Sequence, residues 1–194
     1  DNLLIGRFLG SGPLGYYALA YQIMLYPFAQ VSGVIVKVLF PTMARLQGNP
    51  DLIRAAFLSA ISAIAIVTFP MMVGLFAVSH DFILVVFGPQ WLPMDTVLRI
   101  FCAIGLLQSI GTTVGTIYLS TGNTKLMFRV TAYATPVIIG GFAAGLPWGI
   151  DGVALAYGIV SLFVFFALSG FAFRLINLPI TAVMKTVFGT VLAT

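Results

Sequence analysis

The chain has 194 residues, of which 60% are hydrophobic and only 7% are charged, and its mean hydropathy is +1.10. A soluble domain carries about 25% charged residues, so this composition excludes a soluble globular domain, a disordered chain and a disulfide scaffold, and predicts an integral membrane protein. The net charge is +4, and the basic residues lie at the ends of apolar segments, which indicates membrane topology rather than nucleic-acid binding.

The apolar runs are long and continuous, without the ten-residue alternation of barrel strands. Helices and closed barrels are the structures that satisfy the backbone inside a bilayer, and roughly 20 apolar residues span it as a helix. We therefore predict an all-α, polytopic transmembrane helical bundle with about five complete spans plus two truncated ones.

The first predicted elements precede the first polar loop. Residues 1–10 have the pattern of the end of a truncated helix, and Ser11-Gly12-Pro13 is predicted as a turn before the next helix. The first complete helix is predicted over about 14–40, with a kink at Pro27 and a stop near Pro41, because proline removes a backbone hydrogen bond.

The second helix is predicted over about 52–78, with Pro70 inside it. Asn49-Pro50-Asp51 is a turn and N-cap signal for its start. Residues 79–93 are predicted as a connection with a short apolar piece that ends at Gly88-Pro89, and Trp91 is predicted to lie in the headgroup region.

Two glycine-containing breaks separate the remaining helices, "STGNTK" at 120–125 and "GLPWGID" at 145–151. In the second break, Asp151 is predicted to cap the following helix. The predicted helices cover about 94–119, 125–146 and 152–173, and a sixth begins near 178.

The basic residues alternate between successive loops. Three loops, 41–54, 120–129 and 174–185, carry Arg45, Arg54, Lys125, Arg129, Arg174 and Lys185, whereas 79–93 and 146–151 carry none. Because cytoplasmic loops are enriched in Lys and Arg, we predict that the first three loops are cytoplasmic and that the chain is a multi-pass protein of the bacterial cytoplasmic (inner) membrane.

Catalytic and metal-binding motifs are missing from the sequence. Ser79, His80 and Asp81 are consecutive, so their side chains do not converge as a catalytic triad does, and a polar turn at the outer interface is the favoured interpretation. One histidine and five scattered aspartates offer no metal-ligand spacing, and Cys102 is predicted to be a packing residue. We therefore predict a protein that is not an enzyme and needs no cofactor.

"GTTVG" at 111–115 and "GFAAG" at 141–145 match the pattern that lets membrane helices approach closely. Packing inside the bundle is the favoured interpretation, and a dimer interface is the alternative.

Arg7 and Arg99 depart from the alternation of charge. Arg99 follows Asp95 by four residues, which favours a helical ion pair. The alternative is a cationic cavity wall that contacts an anionic substrate, because a guanidinium suits phosphate. Arg7, near Asn2, either extends to the outer headgroups or faces the same cavity.

Three glutamines, Gln22, Gln30 and Gln108, lie inside apolar helices. They either bond neighbouring helices or line a path, and the sequence does not decide between these. Lys37 is predicted to extend its ammonium group to the cytoplasmic surface.

The segments "DNLLIGRFLGSGPLGYYALAYQIMLYP" and "VKVLFPTMARLQGNPDLIRAAF" resemble the second half of polysaccharide exporters of the colanic-acid type. That family belongs to the flippase superfamily that also holds multidrug-and-toxin extruders and lipid II flippases. "FPMMVGLFAVSHDFILVVFGPQW" and "GIDGVALAYGI" resemble later parts of the same family, in the same order.

The resemblance implies a fold of two helical bundles around a central cavity, with residues 1–194 forming a partial transporter domain, most of the second bundle of a longer chain. It implies translocation of polyprenyl-pyrophosphate-linked oligosaccharide repeat units for exopolysaccharide or O-antigen export. The partners implied are that lipid-linked oligosaccharide, membrane lipids and polysaccharide polymerase machinery, with no nucleic acid. We expect Arg7, Asn2, Arg99 and Gln108 to face the cavity.

Alternative functions remain at this point. A drug, organic-ion or lipid II exporter would use the same fold with different cavity chemistry. A glycosyl- or phosphotransferase would need paired acidic metal ligands near a membrane surface, and Asp51 stands alone in its loop. A purely structural scaffold would have less reason to bury Arg99.

Overall fold

The computed structural model describes residues 2–46 and 48–192 of the chain. This part of the chain is helical throughout, which confirms the all-α prediction. Two short 3-10 turns, Pro89–Met94 and Leu146–Trp148, precede α4 and α6. The helices in chain order are α1 (Asn2–Phe8), α2 (Ser11–Arg45), α3 (Pro50–Val86), α4 (Asp95–Ser120), α5 (Thr124–Gly145), α6 (Gly149–Leu175) and α7 (Ile180–Leu192).

Helix α4 lies at the centre of the bundle. It packs against α2, α3 and α6, while α5 packs chiefly on α6 and α7 packs on α3. More of α4 is buried than of its neighbours, and Phe101, Ile117 and Tyr118 have no exposed surface. The helices around α4 bury only the faces that they turn towards it, as the outer helices of a bundle do.

Three helical segments are long and apolar enough to cross a membrane: 50–86, 89–120 and 124–175. Helix α2 makes a fourth when its two halves are counted as one span. The 52-residue segment 124–175 would be about 78 Å long as a straight helix, more than twice the thickness of the hydrocarbon core. It is instead two helices, α5 and α6, which pack against each other. The described residues thus contain three to four apolar candidates for a membrane span, and the five complete spans stay a prediction.

Helix α2 bends by 44° between Ser11–Pro27 and Ala29–Arg45, which confirms the kink predicted at Pro27. The ring of a proline within a helix removes one backbone hydrogen bond and clashes with the preceding turn. The second proline, Pro41, does not stop the helix as predicted, because α2 continues for one further turn to Arg45.

Two predicted turns prove to be helical. Ser11-Gly12-Pro13 forms the first turn of α2, and the chain reverses at Gly10, whose φ of 92° is costly for other residues. Ser79–Asp81 lies inside α3, which runs on to Val86 because positions 79–87 contain no glycine or proline. The polar turn predicted at 79–81 is therefore wrong.

The capping predictions have different outcomes. Asn49 caps α3, since its Oδ1 accepts a hydrogen bond from the Leu52 amide at 3.3 Å. Asp151 does not cap α6, because this helix begins two residues earlier at Gly149, and its Oδ1 is buried without a hydrogen-bond partner. The positive φ of Gly149, 70°, lets the chain enter the helix directly from the 3-10 turn.

The "GFAAG" motif packs α5 against α6 inside the bundle, as predicted. A Cβ atom added to Gly145 would lie 2.6 Å from the Gly152 carbonyl oxygen, and one added to Gly152 would lie 2.5 Å from the Gly145 carbonyl oxygen. The backbones of the two helices touch at this point, which only glycine permits. Cys102 is buried among apolar side chains as a packing residue.

The core has two separate clusters, one at each end of the bundle. The first cluster, around Tyr17, Met94 and Phe101, lies beside Asp81, Asp95 and Asp151, and we name this end the acidic end. The second cluster, around Phe57, Tyr118 and Phe173, lies at the opposite end, which we name the basic end. Its basic residues are Arg45, Arg54, Lys125, Arg129, Arg174 and Lys185.

Candidate functional site

Between the two core clusters, the bundle is open. A cavity of about 860 Å³ lies between the second half of α2, the middle of α4 and the middle of α6. The cavity forms because α2 and α6 both pack on α4 but make few contacts with each other, which leaves a space between them. Most of its wall is apolar, with the polar groups at a few positions, as in most sites that bind small molecules.

Gln108 supplies an amide to this cavity. The Gln108 Nε2 donates a hydrogen bond to the Tyr157 hydroxyl, and the Tyr157 and Tyr21 hydroxyl oxygens lie 3.5 Å apart. The tyrosine rings are held by edge-to-face contacts with Phe101, and the ring of Phe142 stacks on Tyr157. Three helices therefore hold one line of polar groups across the bundle, at the cavity wall closest to the acidic end.

Two serines place hydroxyl groups in the cavity wall without a partner. Ser32 on α2 is 3% exposed and Ser169 on α6 is fully buried, and neither Oγ has a hydrogen-bond partner within the described residues. A buried polar group without a partner costs about 1–3 kcal/mol. Both residues line the cavity, but their Oγ atoms have almost no accessible surface, so a ligand in the cavity reaches these hydroxyls only if neighbouring side chains move.

Lys37 lies at the rim of the cavity, on the side of the basic end. Its side chain is exposed, and its neighbours along α2 pack in the core cluster of the basic end. This position is compatible with the prediction that Lys37 extends to the cytoplasmic surface. The Lys37 ammonium group can also face the cavity, because the residue lies at its rim. An anionic ligand that enters the cavity from the basic end passes this charge first.

Arg99 lies outside the cavity. Its Nε lies 3.2 Å from each carboxylate oxygen of Asp95, which confirms the predicted helical ion pair. The Asp95 carboxylate also accepts a hydrogen bond of 2.5 Å from the buried Ser79 hydroxyl and lies 3.9 Å from Nδ1 of His80. The guanidinium carbon lies 5.9 Å from the centre of the Phe76 ring. These contacts join α3 to α4 at the acidic end.

The other two predicted site residues lie on α1. Asn2 and Arg7 are both exposed, at the acidic end and away from the cavity between α2, α4 and α6. Of the four residues predicted to face a cavity, the structure thus places Gln108 in this one and does not bring the other three to it. A role for Asn2, Arg7 and Arg99 in binding stays a prediction.

The sequence analysis missed most of the polar groups of this cavity. Tyr157, Ser32, Ser161 and Ser169 carry no charge and belong to no motif. The available signal was their rarity, since Ser161 and Ser169 are eight residues apart on one face of an otherwise apolar helix. That pattern alone does not tell a cavity from a helix contact.

The described residues contain no group of three or more His, Cys, Asp or Glu side chains that could hold a metal ion. The groups that line the cavity are instead an amide, a phenol, aliphatic hydroxyls and one ammonium group. They bind ligands by hydrogen bonds and charge.

The chain is similar to proteins of polysaccharide biosynthesis. It is 32% identical over 167 residues to the lipopolysaccharide biosynthesis protein WzxC of Escherichia coli, over 84% of this chain and 33% of WzxC. It is 37% identical over 128 residues to the teichuronic acid biosynthesis protein TuaB of Bacillus subtilis, over 66% of this chain and 26% of TuaB. It is 30% identical over 89 residues to the succinoglycan biosynthesis transport protein ExoT of Rhizobium meliloti, over 46% of this chain and 18% of ExoT.

The chain thus spans between about a quarter and a third of the length of WzxC and TuaB. No solved structure matches it. Residues 1–96 match the family described as polysaccharide biosynthesis protein. Together with the relatives, this match confirms the resemblance drawn from the sequence.

Proposed function

We propose that this chain is part of a membrane flippase that translocates polyprenyl-pyrophosphate-linked oligosaccharide repeat units for polysaccharide export, and that it forms a transporter domain of that protein. The observation that carries the proposal is the cavity between α2, α4 and α6, which places an amide, hydroxyls and an ammonium group inside an otherwise apolar bundle. The match of residues 1–96 to a polysaccharide biosynthesis family and the names of the relatives support polysaccharide biosynthesis.

The physical argument rests on the cost of moving sugars through lipid. Hydroxyl and phosphate groups without hydrogen-bond partners are costly in hydrocarbon, so a transporter must replace their water with its own polar groups. Gln108, Tyr157 and Ser161, which line the cavity and are only partly buried, are groups of this kind. The relative ExoT is named a transport protein, which supports a transporter rather than an enzyme.

The orientation is part of this proposal. The basic loops gather at one end of the bundle, where Arg54 Nη2 donates to the Ile176 carbonyl oxygen at 3.2 Å and so joins loops 41–54 and 174–185. Loops rich in Lys and Arg remain cytoplasmic. The basic end then faces the cytoplasm of a bacterial inner membrane, and Lys37 lies on the side from which a pyrophosphate enters.

The test uses the full-length protein in a bacterium that lacks its own exopolysaccharide flippase but still assembles the repeat unit. We expect the wild-type protein to restore surface polysaccharide. We expect Gln108→Leu to reduce it about tenfold at equal membrane levels, the effect of losing roughly 1.4 kcal/mol of hydrogen bonding. Gln90→Leu is the matched control, because Gln90 is exposed at the acidic end, outside the cavity.

The same experiment can overturn the proposal. An inserted wild-type protein that restores no polysaccharide in several such strains would overturn the flippase function and favour an exporter of another substrate. Restoration that is equal for wild type, Gln108→Leu and Gln90→Leu would keep the flippase and remove Gln108 from its binding site.

A further inference from the structure

One exposed face of α2 is polar. Gln22, Tyr26, Gln30 and Lys37 follow one another at intervals of four, four and seven residues. This spacing places Gln22 and Tyr26 on one side of the first half of α2 and Gln30 and Lys37 on one side of the second half, across the 44° bend. All four are exposed, and the described part of the chain gives none of them a hydrogen bond or an ion pair. We name these four residues the α2 stripe.

The exposed face of α3 shows what a lipid-facing surface looks like in this bundle. Ile66, Val73 and Phe76 are between 45% and 57% exposed there. Such side chains suit hydrocarbon, whereas free amide groups in hydrocarbon cost several kcal/mol each. The α2 stripe therefore requires a polar partner, and α3 does not.

The α2 stripe also has open space in front of it. Gly15 and Gly33 lie on the same side of the helix, and a Cβ atom added to either would meet nothing within 4 Å. Beside Tyr26 lies an apolar recess of about 440 Å³ that Met71 and Leu75 of α3 help to form. The stripe is thus a shallow groove with amides along it and an aromatic ring at its edge.

We propose that the α2 stripe is the surface along which the sugar units of the lipid-linked oligosaccharide move, an inference that rests on the proposed function. An amide can both donate to and accept from sugar hydroxyls, and a tyrosine ring offers an apolar face with a polar tip. From Gln22 to Lys37 the stripe is about 22 Å long, enough to contact several sugar rings at once.

Charge determines the direction of the ligand on the stripe. Lys37 lies at the end of the stripe nearest the basic end and attracts the pyrophosphate group. Lys37 and Gly33 also line the cavity that holds the unpartnered hydroxyls of Ser32 and Ser169. The stripe and the cavity are therefore continuous at Lys37, with the pyrophosphate there and the sugars towards Gln22.

The alternative occupant of the α2 stripe is another helix of the full-length protein, because amide groups also join membrane helices. Photo-crosslinking distinguishes the two. A benzophenone amino acid replaces Tyr26 in the full-length protein, in vesicles that contain radiolabelled lipid-linked oligosaccharide. The same substitution at Val38 and Val73, which are 65% and 57% exposed on other faces, provides the controls.

We expect the radiolabel to be captured at position 26 at least five-fold above positions 38 and 73. Capture by other parts of the same protein at position 26, without radiolabel, would overturn the proposal in favour of a helix contact. Equal capture at all three positions would overturn it in favour of unspecific contact with the lipid part of the substrate.

Substitutions in the flippase-deficient strain provide a second test. We expect Gln22→Leu with Gln30→Leu to lower surface polysaccharide about tenfold at equal protein levels, and the matched exchange Val38→Leu to leave it unchanged. If wild type restores the polysaccharide and the double variant does so equally, the α2 stripe is not the sugar surface. If wild type itself fails, the proposed function is overturned first.

Discussion

The two ends of the bundle hold their charges in different ways. At the acidic end, Asp95 binds Ser79 and Arg99 and lies close to His80. At the basic end, Arg54 reaches Asp51 and the Ile176 carbonyl oxygen. The other basic residues there are exposed and have no ion pair in the described part of the chain.

The difference between the two ends shows two roles that charged residues have in a membrane protein. At the acidic end, the partly buried Asp95 carboxylate joins α3 to α4. It accepts a hydrogen bond from Ser79 and forms an ion pair with Arg99, so these polar groups have partners. The basic end presents exposed cations at the bundle surface, and the proposed orientation places them at the negative headgroups of the cytoplasmic leaflet. The first kind of charge contributes to packing, and the second kind sets orientation.

The largest expected effect concerns the side of the membrane on which each end lies. With Cys102→Ala as the background, a single cysteine at Gln90 or Thr124 reports on the acidic and the basic end, respectively. We expect an impermeant maleimide to label Gln90→Cys in spheroplasts and Thr124→Cys only after the membrane is opened, because the proposed orientation places the basic end in the cytoplasm. Labelling of both from the same side would contradict the opposite placement of the two ends.

The second effect tests the joined charges of the acidic end. Asp95→Ala leaves the fully buried Ser79 hydroxyl without its acceptor and Arg99 without its ion pair. We expect a loss of about 1–3 kcal/mol in the free energy of unfolding, measured as a lower unfolding temperature in detergent. Asp81→Ala is the matched control, because Asp81 is exposed and has no ion pair in the described residues. Equal losses for both variants would contradict a structural role for Asp95.

The smallest effect tests the free charges of the basic end. Arg45→Ala removes an exposed cation, so we expect the unfolding free energy to change by less than about 0.5 kcal/mol. Arg54→Ala removes the hydrogen bond to Ile176 and should cost about 0.5–1.5 kcal/mol. The two unfolding temperatures, measured side by side, check this order, and a larger loss for Arg45→Ala would show that the cations of this end are not free.

The order of the helices could be predicted from the sequence because each one is a long apolar run that ends at glycine, proline or polar residues. The Asp95–Arg99 pair was also predictable, since four residues separate the partners on one helix. The errors were at places where local signals were ambiguous. Ser79–Asp81 looks like a turn, but a polar side chain does not end a helix whose backbone hydrogen bonds continue.

The sequence by itself determined that this chain is a helical membrane bundle with its basic loops on one side, because hydropathy and charge act over short stretches of chain. Only the tertiary structure decided which of the three glutamines has a partner. Gln108 meets Tyr157, 49 residues further on, whereas Gln22 and Gln30 face outwards from the same bundle. The physical reason is that a polar residue in an apolar helix needs a hydrogen-bond partner, but the sequence of its own helix does not determine which other helix supplies that partner. The packing of α2, α4 and α6 brings Gln108 to Tyr157, and the same packing forms the cavity.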